Sequence, residues 1–160
     1  MYKRQGLNLT REVRESLLKH ETDEDWPDEF RPKPRHALLE GQVADIADST
    51  AYNKHDIEDG LLAGMFSEEE LFDEVALWRD SVAEVERHHP HFLAQTEDAK
   101  LRIFRIANEL IGACIIDLTE ASQLRLANSG VDSPEDVKSA DRMLIGHSPE
   151  MGPRVAELQR

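Results

Sequence analysis

Asp48, Tyr52 and Asp56 stand four residues apart in a stretch that runs from Val43 to Gly60. Residues at i and i+4 of a helix share one face, one turn above the other. A carboxylate, a phenol ring and a second carboxylate would then stack along roughly 12 Å of one helix edge, at about 1.5 Å per residue. Such an edge suits a metal ion gripped at one end and a sugar or polyol held at the other. It also suits a plain solvated face, because Asp48 lies opposite the stripe of Leu39, Val43, Ile46 and Thr50. The three residues alone leave both readings open.

The elements that must position them read as helices. Leu39, Val43, Ile46 and Thr50 recur at the helical period from Ala37 to about Lys54, with Gly41, Asp45, Asp48 and Tyr52 on the other side. From His55 to Gly64 the helix is expected to continue with a bend or short break, since Gly60 and Gly64 lower the propensity. Upstream, Thr10 is an N-cap candidate for a helix over Leu9 to His20, with Val13, Leu17 and Leu18 as its apolar stripe. Glu21 to His36, with Pro27, Pro32 and Pro34, reads as a surface loop. Downstream, Ser67 and Glu70 form a capping box opening a helix through about Arg87, with Leu71, Phe72, Val75, Leu77, Trp78 and Val82 as its core face. His88 to His91 breaks the pattern. Thr96 or Glu97 opens a long helix to about Asn128, ended by Gly130. Its run Ile111 to Ile116 is apolar nearly all round, as expected for the most buried helix of a bundle. Ser133 starts a short helix, and another begins after Pro149. No segment alternates with period two long enough to make a strand. The fold class is all-α, a helical bundle.

Composition narrows the function classes. The 160 residues suit one domain with a real core. A net charge of -14 argues against nonspecific binding to nucleic acid. The single cysteine, Cys114, rules out a disulfide framework and a cysteine-based zinc site, and its apolar setting marks it as core. No apolar run approaches the roughly 20 residues of a membrane span, and no secretory signal opens the chain, so a reducing, cytoplasmic setting is expected. The histidine tract His88, His89 and His91 reads as surface decoration at a helix C-terminus. Arg102 and Arg105 are weak phosphate candidates, expected to be solvated or ion-paired.

The whole string from Leu39 to Leu61, with Asp48, Tyr52 and Asp56 inside it, resembles the deoxyguanosinetriphosphate triphosphohydrolase family of HD-domain, metal-dependent phosphohydrolases. Gly6 to Glu15, Ile116 to Ala121 and Ser148 to Met151 look like flanking segments of that family. The resemblance implies a partial HD-domain fold and hydrolysis of a deoxynucleoside triphosphate to deoxynucleoside and inorganic triphosphate. It implies a divalent metal ion, magnesium, manganese or similar, in the complete protein. It makes Asp48 the last of the metal ligands, Tyr52 the ring packed on the deoxyribose, and Asp56 the contact to the sugar 3′-hydroxyl. A homo-oligomer is implied for the complete protein, and the substrate partner is a deoxynucleoside triphosphate.

One departure sets the expectation for this chain. The family's earlier histidine and His-Asp ligands have no counterpart, because His20 and His36 lack the context and His55-Asp56 falls after Tyr52. Residues 2–5 also translate one reading frame of a transposon sequencing adapter (TAT-AAG-AGA-CAG), so 1–5 reads as an artefact. Residues 6–160 then read as the C-terminal part of an HD-type triphosphohydrolase domain, truncated at both ends, that binds metal weakly and is inactive alone. The alternatives are a non-catalytic acidic helical interaction module and a small helical bundle with no ligand.

Overall fold

The computed structural model describes residues 7–18 and 20–159, and among these no strand occurs. The suspected adapter residues 1–5 lie outside the described residues. Helices α1 (Arg11–Ser16), α2 (Leu39–Leu62), α3 (Glu68–Glu74), α4 (Ala76–His88), α5 (Phe92–Gln95), α6 (Ala99–Ser129), α7 (Pro134–Ser139) and α8 (Met151–Glu157) follow in order, with a 3-10 turn at Asp28–Phe30. The all-α expectation holds.

Local chemistry sets the ends of these helices. Thr10 caps α1 by accepting from the Val13 amide. Ser67 and Glu70 form the full reciprocal capping box at α3. Asp98, rather than Thr96 or Glu97, caps α6, accepting from the Lys100 and Leu101 amides. The Thr96 hydroxyl instead donates to the Phe92 carbonyl. Gly130 closes α6 in the left-handed region, as its position suggested. Ser133 accepts from the Asp136 amide and opens α7.

The long α6 is the spine. It packs against α2, α4 and α8, and its buried residues Ile103, Ile106, Ala107, Leu110 and Cys114 meet Ile57 of α2, Leu77, Trp78 and Val85 of α4, and Val155 of α8. A second apolar group, Trp26, Phe30, Leu38, Val137, Leu144 and Ile145, is also buried. Lys138 of α7 donates to the buried Glu15 carboxylate of α1 at 2.7 Å, joining chain segments far apart in sequence.

Several expectations need correction. The helix expected through Arg87 breaks at Val75, whose extended backbone separates α3 from α4. Phe72 is left exposed, so it is not part of the core face. Val13 and Leu17 of α1 are exposed as well. The long helix α6 does supply the centre of the core, but its run Ile111 to Ile116 is not buried all round: Cys114 is inside, whereas Ile115 and Ile116 are 50% and 62% exposed. Finally, α2 passes through Gly60 without a break. A Cβ at Gly60 would run into the Phe66 ring, so glycine here serves close packing, while Gly64 at φ +68° makes the following turn.

Candidate functional site

The face that α2 buries is mostly polar or small. Gly41, Gln42, Thr50, Asn53, Ile57 and Gly60 point inward, with Val43 48% exposed. The expected inward stripe is therefore rotated: Thr50 belongs to it and Ile46 is partly buried, whereas Val43 is outside and Gly41 is inside. Gln42 explains the rotation. Its Oε1 accepts from the backbone amides of Leu144 and Ile145 at 2.9 and 3.1 Å, and its Nε2 donates to the Ala37 carbonyl at 2.7 Å. The side chain is 1% exposed and every polar atom is satisfied. Further along, Lys54 pairs within α2 with Glu58, four residues on, at 2.6 Å, and its ammonium reaches across to α6, 4.8 Å from the centroid of the Phe104 ring.

These anchors leave Asp48, Tyr52 and Asp56 together on the outward edge of α2. All three are exposed, Tyr52 by 61%. Among the described residues none of their side chains makes a hydrogen bond or ion pair. An exposed ring between two unpaired carboxylates offers a flat apolar face and two anionic acceptors, one helical turn to each side.

The other candidates are engaged elsewhere. Arg102 bonds Glu68 at 2.6 Å and the Thr96 carbonyl at 3.3 Å; Arg105 bonds the ring of His89. Cys114 is buried, and burial, reinforced by the charge of Asp117, pushes its thiol up to about 11. Glu84, His88 and Glu109 form the one group of three donors among the described residues with spacing fit for a metal ion, their ligand atoms within 4.8 Å of one another. The Glu84 and His88 spacing of four was visible in the sequence; Glu109, on α6, was not. The Arg87 guanidinium already bonds Glu84 and the His88 ring, and its hydrogen bond holds Glu84 below the usual carboxylate range.

Sequence reasoning missed one further polar centre. Asp117 of α6 accepts from the Ser148 amide at 3.1 Å and faces His147 Nδ1 at 3.0 Å. Burial pushes its carboxyl up, but the hydrogen bonds from Ser148 and His147 together outweigh this and hold it below the ordinary value. Arg125 donates to the carbonyls of Gly146 and His147, so the loop before α8 is clasped onto α6. Asp117 and Ser148 lie in two of the segments singled out above as family-like, but nothing local pairs them across 31 positions of sequence.

No family model matches the chain. Its sequence is similar to curated proteins named deoxyguanosinetriphosphate triphosphohydrolase-like protein. The relative from Thiobacillus denitrificans is 36% identical over 165 residues, and that from Geobacter sulfurreducens 35% identical over 159; each alignment covers 97% of this chain. One from Deinococcus radiodurans is 36% identical over 146 residues, covering 91%. The chain spans about two fifths of the length of these relatives: 41%, 40% and 36%.

Proposed function

Because nearly the whole chain is related to deoxyguanosinetriphosphate triphosphohydrolase-like proteins, we propose that it forms one wall of a deoxynucleoside triphosphate triphosphohydrolase site. The observation that carries this is the exposed, unpaired ladder of Asp48, Tyr52 and Asp56 on a rigidly anchored helix. In this reading the Tyr52 ring packs on the deoxyribose, and an apolar sugar face against a ring selects shape. Asp56 accepts the hydrogen bond of the 3′-hydroxyl. Asp48 offers a carboxylate oxygen to a divalent cation such as magnesium or manganese.

The metal reading meets a limit in the residues themselves. A catalytic metal centre takes about three protein ligands and keeps open positions. Asp48 is one carboxylate, and the three-donor group of Glu84, His88 and Glu109 does not include it. The described residues do not make a complete centre at Asp48. The chain by itself is therefore expected to release no triphosphate. No helix of the described residues is long and apolar enough to cross a membrane. The cytoplasmic setting and the homo-oligomer are part of the same proposal; exposed Ile115, Ile116 and Leu124 on α6 support assembly.

The test has two arms. First, the purified 160-residue chain is incubated with dGTP and magnesium or manganese; measurable triphosphate release would overturn the one-wall reading. Second, residues 39–62 replace the matching segment of a full-length relative that hydrolyses dGTP. The chimera should keep activity, Asp48→Ala should lower turnover by about a hundredfold or more, and Tyr52→Ala should raise KM. A chimera whose activity and metal content ignore Asp48→Ala would return the carboxylate to the solvated face.

A further inference from the structure

The chain carries a net charge of -14, yet cations gather in one place. Arg11 of α1, Arg31, Lys33 and Arg35 of the proline-rich loop, and Lys138 of α7 line a cleft of about 470 Å³. Two carboxylates, Glu15 and Glu135, line it as well.

The partners of these cations separate structural charges from available ones. Lys138 is committed to Glu15, whose side chain is 8% exposed, and the pair joins α1 to α7. Arg31, Lys33 and Arg35 face Asp28, Asp23 and Asp141 at 2.9, 2.9 and 3.3 Å, and all three carboxylates stand almost wholly in water; Arg31 and Lys33 also donate to the Asp23 and Glu21 carbonyls at 3.3 and 2.8 Å. Exposed pairs of this kind contribute little and are readily exchanged. Arg11 has no carboxylate partner among the described residues: its guanidinium donates to the Glu29 carbonyl at 2.7 Å and lies 5.1 Å from the Phe30 ring centroid.

The cleft is also built in advance. The His36 amide donates to the Lys138 carbonyl at 3.1 Å, tying the loop to α7. The Trp26 indole donates to the Phe30 carbonyl at 2.9 Å, and the Lys33 ammonium lies 5.5 Å from the Trp26 ring centroid. Preorganised cations lose less freedom on binding than mobile ones. Guanidinium groups also match phosphate oxygens two at a time.

We propose that this cleft binds a compact polyanion of the polyphosphate class, held by Arg11, Arg31, Lys33 and Arg35. No residue of α2 lines the cleft, so the proposal does not rest on the reading of the Asp48 edge. The phosphate chain could come from an inorganic polyphosphate or from the tail of a nucleotide. Titration calorimetry of the 160-residue chain in metal-free, low-salt buffer, with inorganic tripolyphosphate and separately with dGTP, distinguishes the two. Binding of tripolyphosphate as tight as that of dGTP assigns the phosphate chain alone; tighter dGTP binding that survives Tyr52→Ala assigns a nucleotide in the cleft.

In either case Arg31→Gln with Arg35→Gln should weaken binding at least tenfold, and Arg35→Gln alone should weaken it less. Glu135→Gln should tighten it, an effect that a merely structural role for the loop would not produce. Affinity should fall as salt rises. Absence of binding heat with both probes would overturn the proposal. So would undiminished affinity in the arginine variants, or dGTP binding abolished by Tyr52→Ala.

Discussion

Replacing Gln42 by methionine tests how α2 is held. Methionine matches the length of glutamine but offers no comparable hydrogen bonds. The buried amides of Leu144 and Ile145 and the carbonyl of Ala37 would all lose their partner. Leaving a buried neutral group unsatisfied costs about 1–3 kcal/mol. Two such amides and the part-buried Ala37 carbonyl, at the lower half of that range because the loop can relax, cost about 4 kcal/mol. Burying the apolar methionine side chain returns about 1 kcal/mol. The expected net loss is about 3 kcal/mol, a large share of the roughly 5–15 kcal/mol that stabilises a domain. In urea, with a slope near 2 kcal/mol per molar, the unfolding midpoint should fall by about 1.5 M while the slope stays constant. Far-ultraviolet circular dichroism across a urea series measures both. A midpoint shift below about 0.4 M would refute the reasoning, because the two amides would then be satisfied without Gln42.

Two further substitutions test other parts of the fold. Asp117→Asn removes the charge that binds Ser148 and His147, and should cost about 1–2 kcal/mol at pH 7. The native carboxyl titrates below its unfolded value of about 3.9, so the stabilisation is complete above that value and is lost as pH falls through the native one. Urea midpoints of the two proteins should therefore converge in acid below about pH 4; a gap unchanged down to pH 3 would discount the charge. Gly60→Ala gains about 1 kcal/mol in helix propensity, yet should destabilise overall by about 1–2 kcal/mol, because the new Cβ displaces the Phe66 ring. A raised melting temperature would show that the ring moves freely.

What the sequence made legible was whatever depends on neighbours along the chain. Thr10, Ser67, Ser133 and Gly130 announce helix ends because caps act within a turn. The break at Val75 was hidden, since nothing in its residue type excludes a helix. The rotation of α2 was hidden for a stronger reason. Hydropathy placed Val43 inside, whereas the inward residue is Gln42, whose partners lie about 100 positions away at Leu144 and Ile145. Ile115 and Ile116 misled in the same way, since apolar type reports a tendency to burial and not the presence of a neighbour. The ladder was legible as an edge because its spacing is local. The basic cleft was not, because its cations come from α1, a loop and α7.

The polar underside of α2 bears on the direction in which its outer edge points. A helix resting on interchangeable methyl groups can roll by degrees at small cost. One held by a glutamine across two amides of a distant loop, and by a lysine over a ring of α6, has few intermediate seats. It behaves like a keyed shaft, with an angle fixed by discrete engagements. Any rearrangement that re-aims Tyr52 must first disengage those keys, so the edge should act as a fixed template to which a ligand conforms.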